Sequence, residues 1–262
     1  MDKKAINKSW IATQLRTVLH RNRSRLPDPF IMDHMLPCYN RLDVAVIELY
    51  IKPNCKSLED LVEEFAIYFE YRCQKVILIG HSKGALIMTA ALERIAKQTT
   101  AILVAPTFGT ITGSEKAMLE KLEENKGKGF LENLKTVFLK KVVKIVSSRR
   151  PVDRDMYYES DFVNETKRMF YKLKDHNITN IVDRCPEKST KQSIKNKIFI
   201  DFGKRLGLSP EESDGMVETA NQEITKEFIK MSIDIQAIHP TALESANNII
   251  DDVLRKEEFS KA

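Results

Sequence analysis

The stretch VILIGHSKGALIMTAAL, residues 76–92, decides the fold of this chain. A continuous apolar run leads into the pentapeptide GHSKG, and a second apolar run follows it at once. The first run is typical of a strand buried on both faces, whereas the second is rich in strong helix formers. The sequence therefore predicts a strand, a sharp turn at Ser82 and a helix. In that setting Ser82 is either an exposed nucleophile or a serine that caps the helix in a tight turn.

Further strands and helices alternate on both sides of this turn. Apolar residues spaced i, i+3, i+4 and i+7 after Ser57 predict an amphipathic helix, and another helix is predicted over residues 242–257. Apolar runs typical of strands are LDVAVIELYI (42–51), TAILVAP (100–106), NITNIV (177–182), NKIFIDFG (196–203) and FIKMSIDIQAI (228–238). This alternation predicts an α/β fold with a mostly parallel sheet flanked by helices.

A long helical segment interrupts the strand pattern. Residues 114–148 are broken only at Gly127 and Gly129, and the second half carries apolar residues beside a row of lysines. The segment either caps a site or forms an ordinary amphipathic surface helix pair, and weak contact of its basic helix with a membrane surface is a third alternative. We expect residues 1–262 to form a single domain. Its core is predicted at about residues 42–112 and 177–262, and the helical insertion at about residues 113–176.

The composition argues against several other classes of protein. The 262 residues are 42% hydrophobic and 30% charged, which suits a folded globular chain. The net charge of +5 is spread among acidic residues, with no arginine-rich arm, so we expect no nucleic-acid partner. The four cysteines form no CxxC pair and no zinc-like cluster with histidine, so we expect reduced thiols and no metal site.

Two features of the sequence predict where the protein is located. The first ten residues, MDKKAINKSW, are charged and contain no apolar stretch of the kind that a secretory signal needs. No run approaches the roughly 18 apolar residues of a membrane-spanning helix. We therefore expect a cytoplasmic protein.

A nucleophilic serine needs a general base, and one histidine is well placed for that role. His239 follows the last predicted strand and precedes the last helix, in the kind of loop where a base is found. The alternative is a solvated loop histidine before Pro240. The other histidines lie before the serine, in the turn itself or in a polar turn: His20, His34, His81 and His176.

The base needs an orienting carboxylate, and two aspartates are candidates. Asp214, in SDGMVETANQEI, lies between the serine and His239 in the chain order Ser, acid, His. Asp183, in IVDRCPEKS, directly follows a predicted strand. The spacing alone does not favour one of them. Asp201 and Asp234 lie within alternating apolar runs, which indicates a structural role.

Several of these segments resemble the lipases and esterases of the α/β-hydrolase superfamily. VILIGHSKGAL is similar to their nucleophile elbow, and SDGMV is similar to their acid loop. LVAPTFGT, DMYYESDFVNE and IHP fit the segments after the next strand, after the cap and around the histidine. The resemblance covers the chain from about Leu42 onward. It implies that Ser82 is the nucleophile, Asp214 the acid and His239 the base, with Asp183 as the alternative acid.

The resemblance also implies an oxyanion hole, of which only half can be assigned. The backbone N–H of Lys83 lies where the first donor is expected, at the start of the helix. Such enzymes usually take the second donor from an earlier strand that ends in a His-Gly motif. This chain has no glycine before Gly80, and IMDHMLPCYN (31–40) occupies that place. The N-terminus is therefore atypical for the family.

These observations predict a serine hydrolase that cleaves an ester through an acyl-enzyme. We expect a small acyl ester or lipid-like substrate and no cofactor. Two alternatives stay open: a non-catalytic binding protein with the same fold, which the missing His-Gly strand motivates, and an acyltransferase that uses the same three residues. The sequence does not indicate the oligomeric state.

Overall fold

The computed structural model describes residues 57–72, 77–95, 98–127, 129–149, 151–186 and 194–259. The chain divides into a larger compact unit, residues 52–246, and a smaller one that joins residues 1–51 to 247–262. The strand predicted at 42–51 and the segment IMDHMLPCYN lie outside the described residues. The single domain stays a prediction.

The described elements follow one another in an alternating order, as the sequence pattern predicts. They are α1 (Leu58–Arg72), β1 (Ile77–His81), α2 (Lys83–Leu92), β2 (Thr100–Val104), α3 (Glu115–Glu124), α4 (Phe130–Arg149), α5 (Asp161–Arg168), β3 (Asn177–Arg184), α6 (Ile194–Arg205), β4 (Met231–Gln236), α7 (Ala242–Ser245) and α8 (Asn247–Phe259). The helix predicted over residues 242–257 is thus two helices, of which α8 belongs to the smaller unit. None of the helices in the described ranges is both long enough and apolar enough to span a bilayer.

The four described strands form one parallel sheet in the order β1-β2-β3-β4. Each connection between paired strands contains at least one helix, as parallel pairing requires. The interior strands β2 and β3 are almost entirely buried, whereas β4 is partly exposed. All four carboxyl ends lie at one edge of the sheet, where the loops that follow β1, β3 and β4 can meet. The parallel sheet and its flanking helices confirm the predicted α/β fold class.

Two helices next to the sheet explain the sequence pattern around the central turn. α1 begins where the Ser57 side chain accepts a hydrogen bond from the Asp60 backbone N–H at 3.2 Å, and it buries Leu58 and Val62. α2 is buried along its length from Ala85 onward and contacts both α1 and β1. Its uniform apolar character therefore reflects burial on all sides, as expected for a helix between a sheet and another helix.

The strand predicted at NKIFIDFG is wrong, because these residues belong to helix α6. The helix buries Ile200 against Cys185 and Ile238 and leaves Asp201 exposed. A Cβ added at Gly203 would lie 2.5 Å from the carbonyl oxygen of Gly215, so α6 packs directly on the loop that contains Asp214. Packing against this loop overrides the strand preference of the Ile- and Phe-rich run.

The insertion between β2 and β3 is helical, with the break between α3 and α4 that Gly127 and Gly129 predict. Its residues Ile111, Met118, Leu122 and Val143 form a hydrophobic cluster with Leu206 and Leu208, which follow α6. On the opposite face of α4, half or more of the side chains of Leu134, Val137 and Phe138 is exposed.

Candidate active site

Ser82 lies at the carboxyl end of β1 in a strained backbone conformation. Its φ of 56° and ψ of −123° are unusual for a residue with a side chain. The turn is tight, because a Cβ at Gly80 would lie 2.4 Å from the Met88 sulfur, whereas one at Gly84 would meet no atom within 4 Å. The Ser82 side chain makes no capping hydrogen bond to α2. Capping therefore does not account for this serine or for its strained backbone.

His239 connects the serine to a carboxylate. The Ser82 hydroxyl donates to Nε2 of His239 at 2.6 Å, and Nδ1 of His239 donates to Oδ2 of Asp214 at 2.6 Å. The backbone N–H of His239 also donates to the Asp214 carbonyl oxygen at 3.0 Å, which fixes the two loops to each other. The three side chains thus form a continuous hydrogen-bonded chain, although Ser82 and His239 are 157 residues apart.

The Asp214 carboxylate is fully buried and well supplied with donors. Oδ1 accepts from the backbone N–H groups of Met216 at 2.9 Å and Val217 at 2.8 Å. Oδ2 accepts from Nε2 of Gln222 at 3.0 Å in addition to His239. Because each donor favours the ionised form, this arrangement suits a negative charge beside the imidazole.

Gln222 is a buried residue at this site that the sequence did not indicate. Its side chain lies between the two aspartates, where Oε1 accepts from the Asp183 backbone N–H at 2.7 Å while Nε2 donates to Asp214. The same Nε2 lies 3.2 Å from the Asp183 carbonyl oxygen and 3.3 Å from that of Val217. No spacing rule links a glutamine to the acid of such a site, so sequence inspection could not have found it.

Asp183 does not join the chain of hydrogen bonds. It lies inside β3, not in the loop after a strand as the sequence suggests, and it is fully buried. Neither carboxyl oxygen has a hydrogen-bond partner among the described residues. Burial and the neighbouring charge of Asp214 raise the pKa of Asp183 to about 8, so this carboxyl is largely protonated at neutral pH.

The electrostatic surroundings of His239 are set by these carboxyls. Burial lowers the pKa of His239, but the charge and the hydrogen bond of Asp214 outweigh burial and leave that pKa above its usual 6.5. The adjacent His81 has the opposite shift, since burial and the His239 charge lower its pKa to about 3. Neutral His81 donates from Nε2 to the His239 carbonyl oxygen at 3.0 Å, which supports the loop that contains His239.

Lys83 places a backbone N–H and a charged side chain next to the serine. Its N–H belongs to the first turn of α2, where backbone donors have no partner within the helix. Its ammonium group binds Asp153 at 2.7 Å, and both side chains are mostly buried. Asp153 lies in the 3₁₀ turn Pro151–Met156, so the insertion is fixed directly to the residue that follows Ser82. The cap over the site stays a prediction.

Thr107 is the other residue at the site that the sequence did not single out. Its hydroxyl lies 3.4 Å from Ser82 Oγ, and the residue is 2% exposed. It follows β2, the strand next to β1, so its place at the carboxyl edge of a parallel sheet was a usable signal. Among the described residues, no group of three or more His, Cys, Asp or Glu side chains is arranged to hold a metal ion.

No protein-family model matches the chain, and no curated protein matches it by sequence. Among solved structures, the crystal structure of the mature Bacillus licheniformis lipase BlEst2 is similar, with a TM-score of 0.46 and 12% sequence identity. The similarity covers 79% of this chain and 77% of the lipase chain. The likeness is distant, and the site described above rests on its own contacts.

Proposed function

We propose that this protein is a serine hydrolase that cleaves a carboxylic ester through an acyl-enzyme. Ser82 is the nucleophile, His239 the general base and Asp214 the acid that orients it. The observation that carries the proposal is the single imidazole of His239, which lies 2.6 Å from both Ser82 Oγ and Asp214 Oδ2. This order of contacts is what nucleophilic catalysis by a serine requires.

The first half-reaction follows from these contacts. Ser82 Oγ attacks the ester carbonyl carbon while its proton moves to Nε2 of His239. The carbonyl π electrons move to the oxygen, which becomes an oxyanion next to the Lys83 backbone N–H. When the oxyanion collapses, the bond to the alkoxy group breaks and His239 returns the proton to the departing alcohol. Water then attacks the acyl-enzyme by the same route in reverse.

The Asp214 carboxylate prepares His239 for this task. Asp214 accepts from Nδ1 and therefore selects the tautomer in which Nε2 is free to take a proton. The same carboxylate stabilises the imidazolium that forms, consistent with the raised pKa of His239. Asp183 lacks donors and is largely protonated at neutral pH, so Asp214 is better suited to be the acid.

The insertion suggests the class of substrate. It presents an apolar outer face on α4, at Leu134, Val137 and Phe138, with lysines along the same helix. We propose an acyl ester or lipid-like substrate on this basis, and weak contact of α4 with a lipid surface as a secondary feature.

A fluorophosphonate probe tests the proposal directly. We expect it to label wild-type protein at Ser82, detected by peptide mass spectrometry, and to leave Ser82→Ala unlabelled. Ser160→Ala is a matched control, since Ser160 caps α5 far along the chain from the turn. Absence of labelling in folded wild-type protein would contradict the proposal and favour a non-catalytic binding protein.

An acyltransferase would give the same labelling, because the acyl-enzyme is shared and only the acceptor differs. Assay of p-nitrophenyl esters with and without added alcohols separates the two functions. We expect free acid as the main product under both conditions. A predominantly transesterified product at low alcohol concentration would instead assign a transferase.

A further inference from the structure

Two adjacent positions at the carboxyl edge of the sheet are strained. Among the described residues, Ser82 and Ala105 are the non-glycine residues with positive φ, at 56° and 44°. They directly follow His81 and Val104, which are paired in the register of β1 and β2. Strain at Ser82 presents the nucleophile. Strain at a neighbouring alanine that does no chemistry itself needs another explanation.

The strained turn at Ala105 is held firmly at both ends. The Ala105 backbone N–H donates to the Ile181 carbonyl oxygen at 2.8 Å, and that of Phe108 donates to the Asn221 carbonyl oxygen at 2.8 Å. The Ser82 backbone N–H donates to the Val104 carbonyl oxygen at 3.0 Å, which connects this turn to that of the serine. The side chain that the turn brings toward Ser82 Oγ is that of Thr107.

The direction of the Thr107 hydroxyl proton follows from the other contacts. Ser82 has one hydroxyl proton, and it is used in the 2.6 Å bond to His239. Ser82 Oγ is the only hydrogen-bond partner of the Thr107 hydroxyl among the described residues, at 3.4 Å. Thr107 must therefore be the donor in this contact. The contact is long for two hydroxyl groups, so a closer acceptor would be preferred.

We propose that Thr107 is a catalytic residue whose hydroxyl donates a hydrogen bond to the oxyanion of the tetrahedral intermediate. This inference rests on the proposed function, and it supplies a second donor beside the Lys83 backbone N–H. The oxyanion is bonded to the same carbon as Ser82 Oγ in the intermediate, so it forms within reach of a hydroxyl that already contacts Oγ.

The step requires no proton from Thr107. Ser82 Oγ bonds to the carbonyl carbon, its proton goes to His239 Nε2, and the carbonyl π pair becomes the negative charge on the oxygen. Thr107 keeps its proton and only donates a hydrogen bond. The hydrogen bond from Thr107 is weak to the neutral carbonyl oxygen of the bound ester and strengthens as negative charge develops on that oxygen. A donor that binds the transition state more tightly than the substrate raises kcat.

The experiment compares Thr107→Val, which keeps the shape and removes the hydroxyl, with Thr107→Ser, which keeps the hydroxyl. We expect Thr107→Val to lower kcat for a p-nitrophenyl ester by about 10²-fold with KM unchanged. The inhibition constant of an alkyl trifluoromethyl ketone, which forms an oxyanion with the serine, should rise by a similar factor. Thr107→Ser should restore both values to near wild type.

Thr166→Val is the matched control, because Thr166 is equally buried and donates its hydroxyl to a helix carbonyl oxygen in α5. Melting curves test folding, and Thr107→Ala replaces Thr107→Val if valine lowers the melting temperature. Unchanged kcat and unchanged ketone inhibition in a folded variant without the hydroxyl would overturn the inference. So would a loss limited to alkyl esters with poor leaving groups, since that pattern assigns Thr107 to the departing oxygen. Failure of wild-type protein to react with the fluorophosphonate would instead remove the proposed function itself.

Discussion

Asp214 and Asp183 are both fully buried, yet their surroundings differ in one decisive respect. Asp214 accepts hydrogen bonds from two backbone N–H groups, from Gln222 and from His239. Neither oxygen of the Asp183 carboxyl has a partner among the described residues. Both carboxyls were candidates for the acid in the sequence. Hydrogen-bond donors, not burial or chain order, therefore distinguish the two buried aspartates.

The backbone conformation explains why hydrogen-bond donors surround the Asp214 carboxylate and not that of Asp183. Asp214 lies in a turn, with Gly215 at a φ of 91°, where N–H groups not used by a ladder point back at the side chain. Asp183 lies within β3, a parallel strand paired on both sides, and its N–H donates to Gln222. A strand offers its side chains no backbone donors of their own, so a carboxyl placed there depends on other side chains.

The largest effect should follow loss of the charge at Asp214. We expect Asp214→Asn to lower kcat about 10⁴-fold, because an amide can stabilise the wrong tautomer of His239 and cannot stabilise the imidazolium. Ester hydrolysis under saturating substrate measures it. Asp201→Asn, on the exposed face of α6, is the control and should be unaffected. Near-normal kcat in Asp214→Asn together with a large loss in Asp183→Asn would reverse the comparison and make Asp183 the acid.

A smaller loss is expected from the group that lies between the two carboxyls. Gln222→Leu removes one donor to Asp214 Oδ2 and leaves His239 and the backbone donors in place. A hydrogen bond to a charged group contributes about 1.5–3 kcal/mol, which corresponds to roughly a 10–100-fold lower kcat. KM should not change. Exposed Gln98→Leu is the control, and a melting curve separates lost stability from lost positioning. A drop in stability with normal kcat would show that Gln222 supports only the fold.

The smallest effect on activity is expected at Asp183. Asp183→Asn mimics the protonated carboxyl, so kcat at neutral pH should stay within about threefold of wild type. Stability should respond to pH instead. The pKa of Asp183 rises from 3.8 to about 8 on folding, next to Asp214 and His239, so the native state retains a proton that the unfolded state releases. The contribution of this group to stability is therefore complete below pH 3.8 and is lost as the pH rises to about 8.

Urea unfolding of wild type and Asp183→Asn at several pH values checks this sign. The stability of the variant relative to wild type should increase from pH 5 to pH 8 and then level off, since asparagine has no proton to lose. A difference that does not vary with pH would mean that Asp183 has the same charge state in the folded and the unfolded chain.

The parts of the molecule that were predictable are those that depend on local pattern. The apolar runs of β1 and β2 and the glycine-flanked turn at Ser82 carry their signal in consecutive residues. The resemblance to known lipases, not spacing, favoured Asp214 over Asp183. NKIFIDFG misled because Ile and Phe suit strands, while its packing against the Asp214 loop is a long-range property. Gln222 also contacts Asp183, which is 39 residues away, and no spacing rule encodes that contact. Thr107 contacts Ser82 across 25 residues, and its place after β2 was the only signal of this contact in the sequence.

Gly80 and Gly84 also show the difference between what a local sequence pattern predicts and what long-range packing determines. Both flank Ser82, and a turn of this kind suggests that each is needed to avoid a Cβ clash. A Cβ at Gly80 would strike Met88 and Ala85, whereas one at Gly84 would meet open space. The two glycines have equivalent positions in the sequence but differ in packing, because only Gly80 lies in close contact with helix α2.

The base of the proposed site follows β4, which is the least buried of the four described strands. β1 also has one neighbour among the described strands, but two of its residues are buried, whereas none of those in β4 is. A strand with one neighbour and few buried side chains opens at a lower free energy than the interior of the sheet. Opening of β4 would withdraw His239 while β1, the turn at Ser82 and the core around β2 stay folded. The contact between Ser82 and His239 is therefore the part of the described sheet that heat or denaturant should remove first, and a thermal-inactivation midpoint would lie below the midpoint for loss of helical signal. The proposed activity therefore depends on β4 staying folded, and it would be lost before the buried strands β2 and β3 unfold.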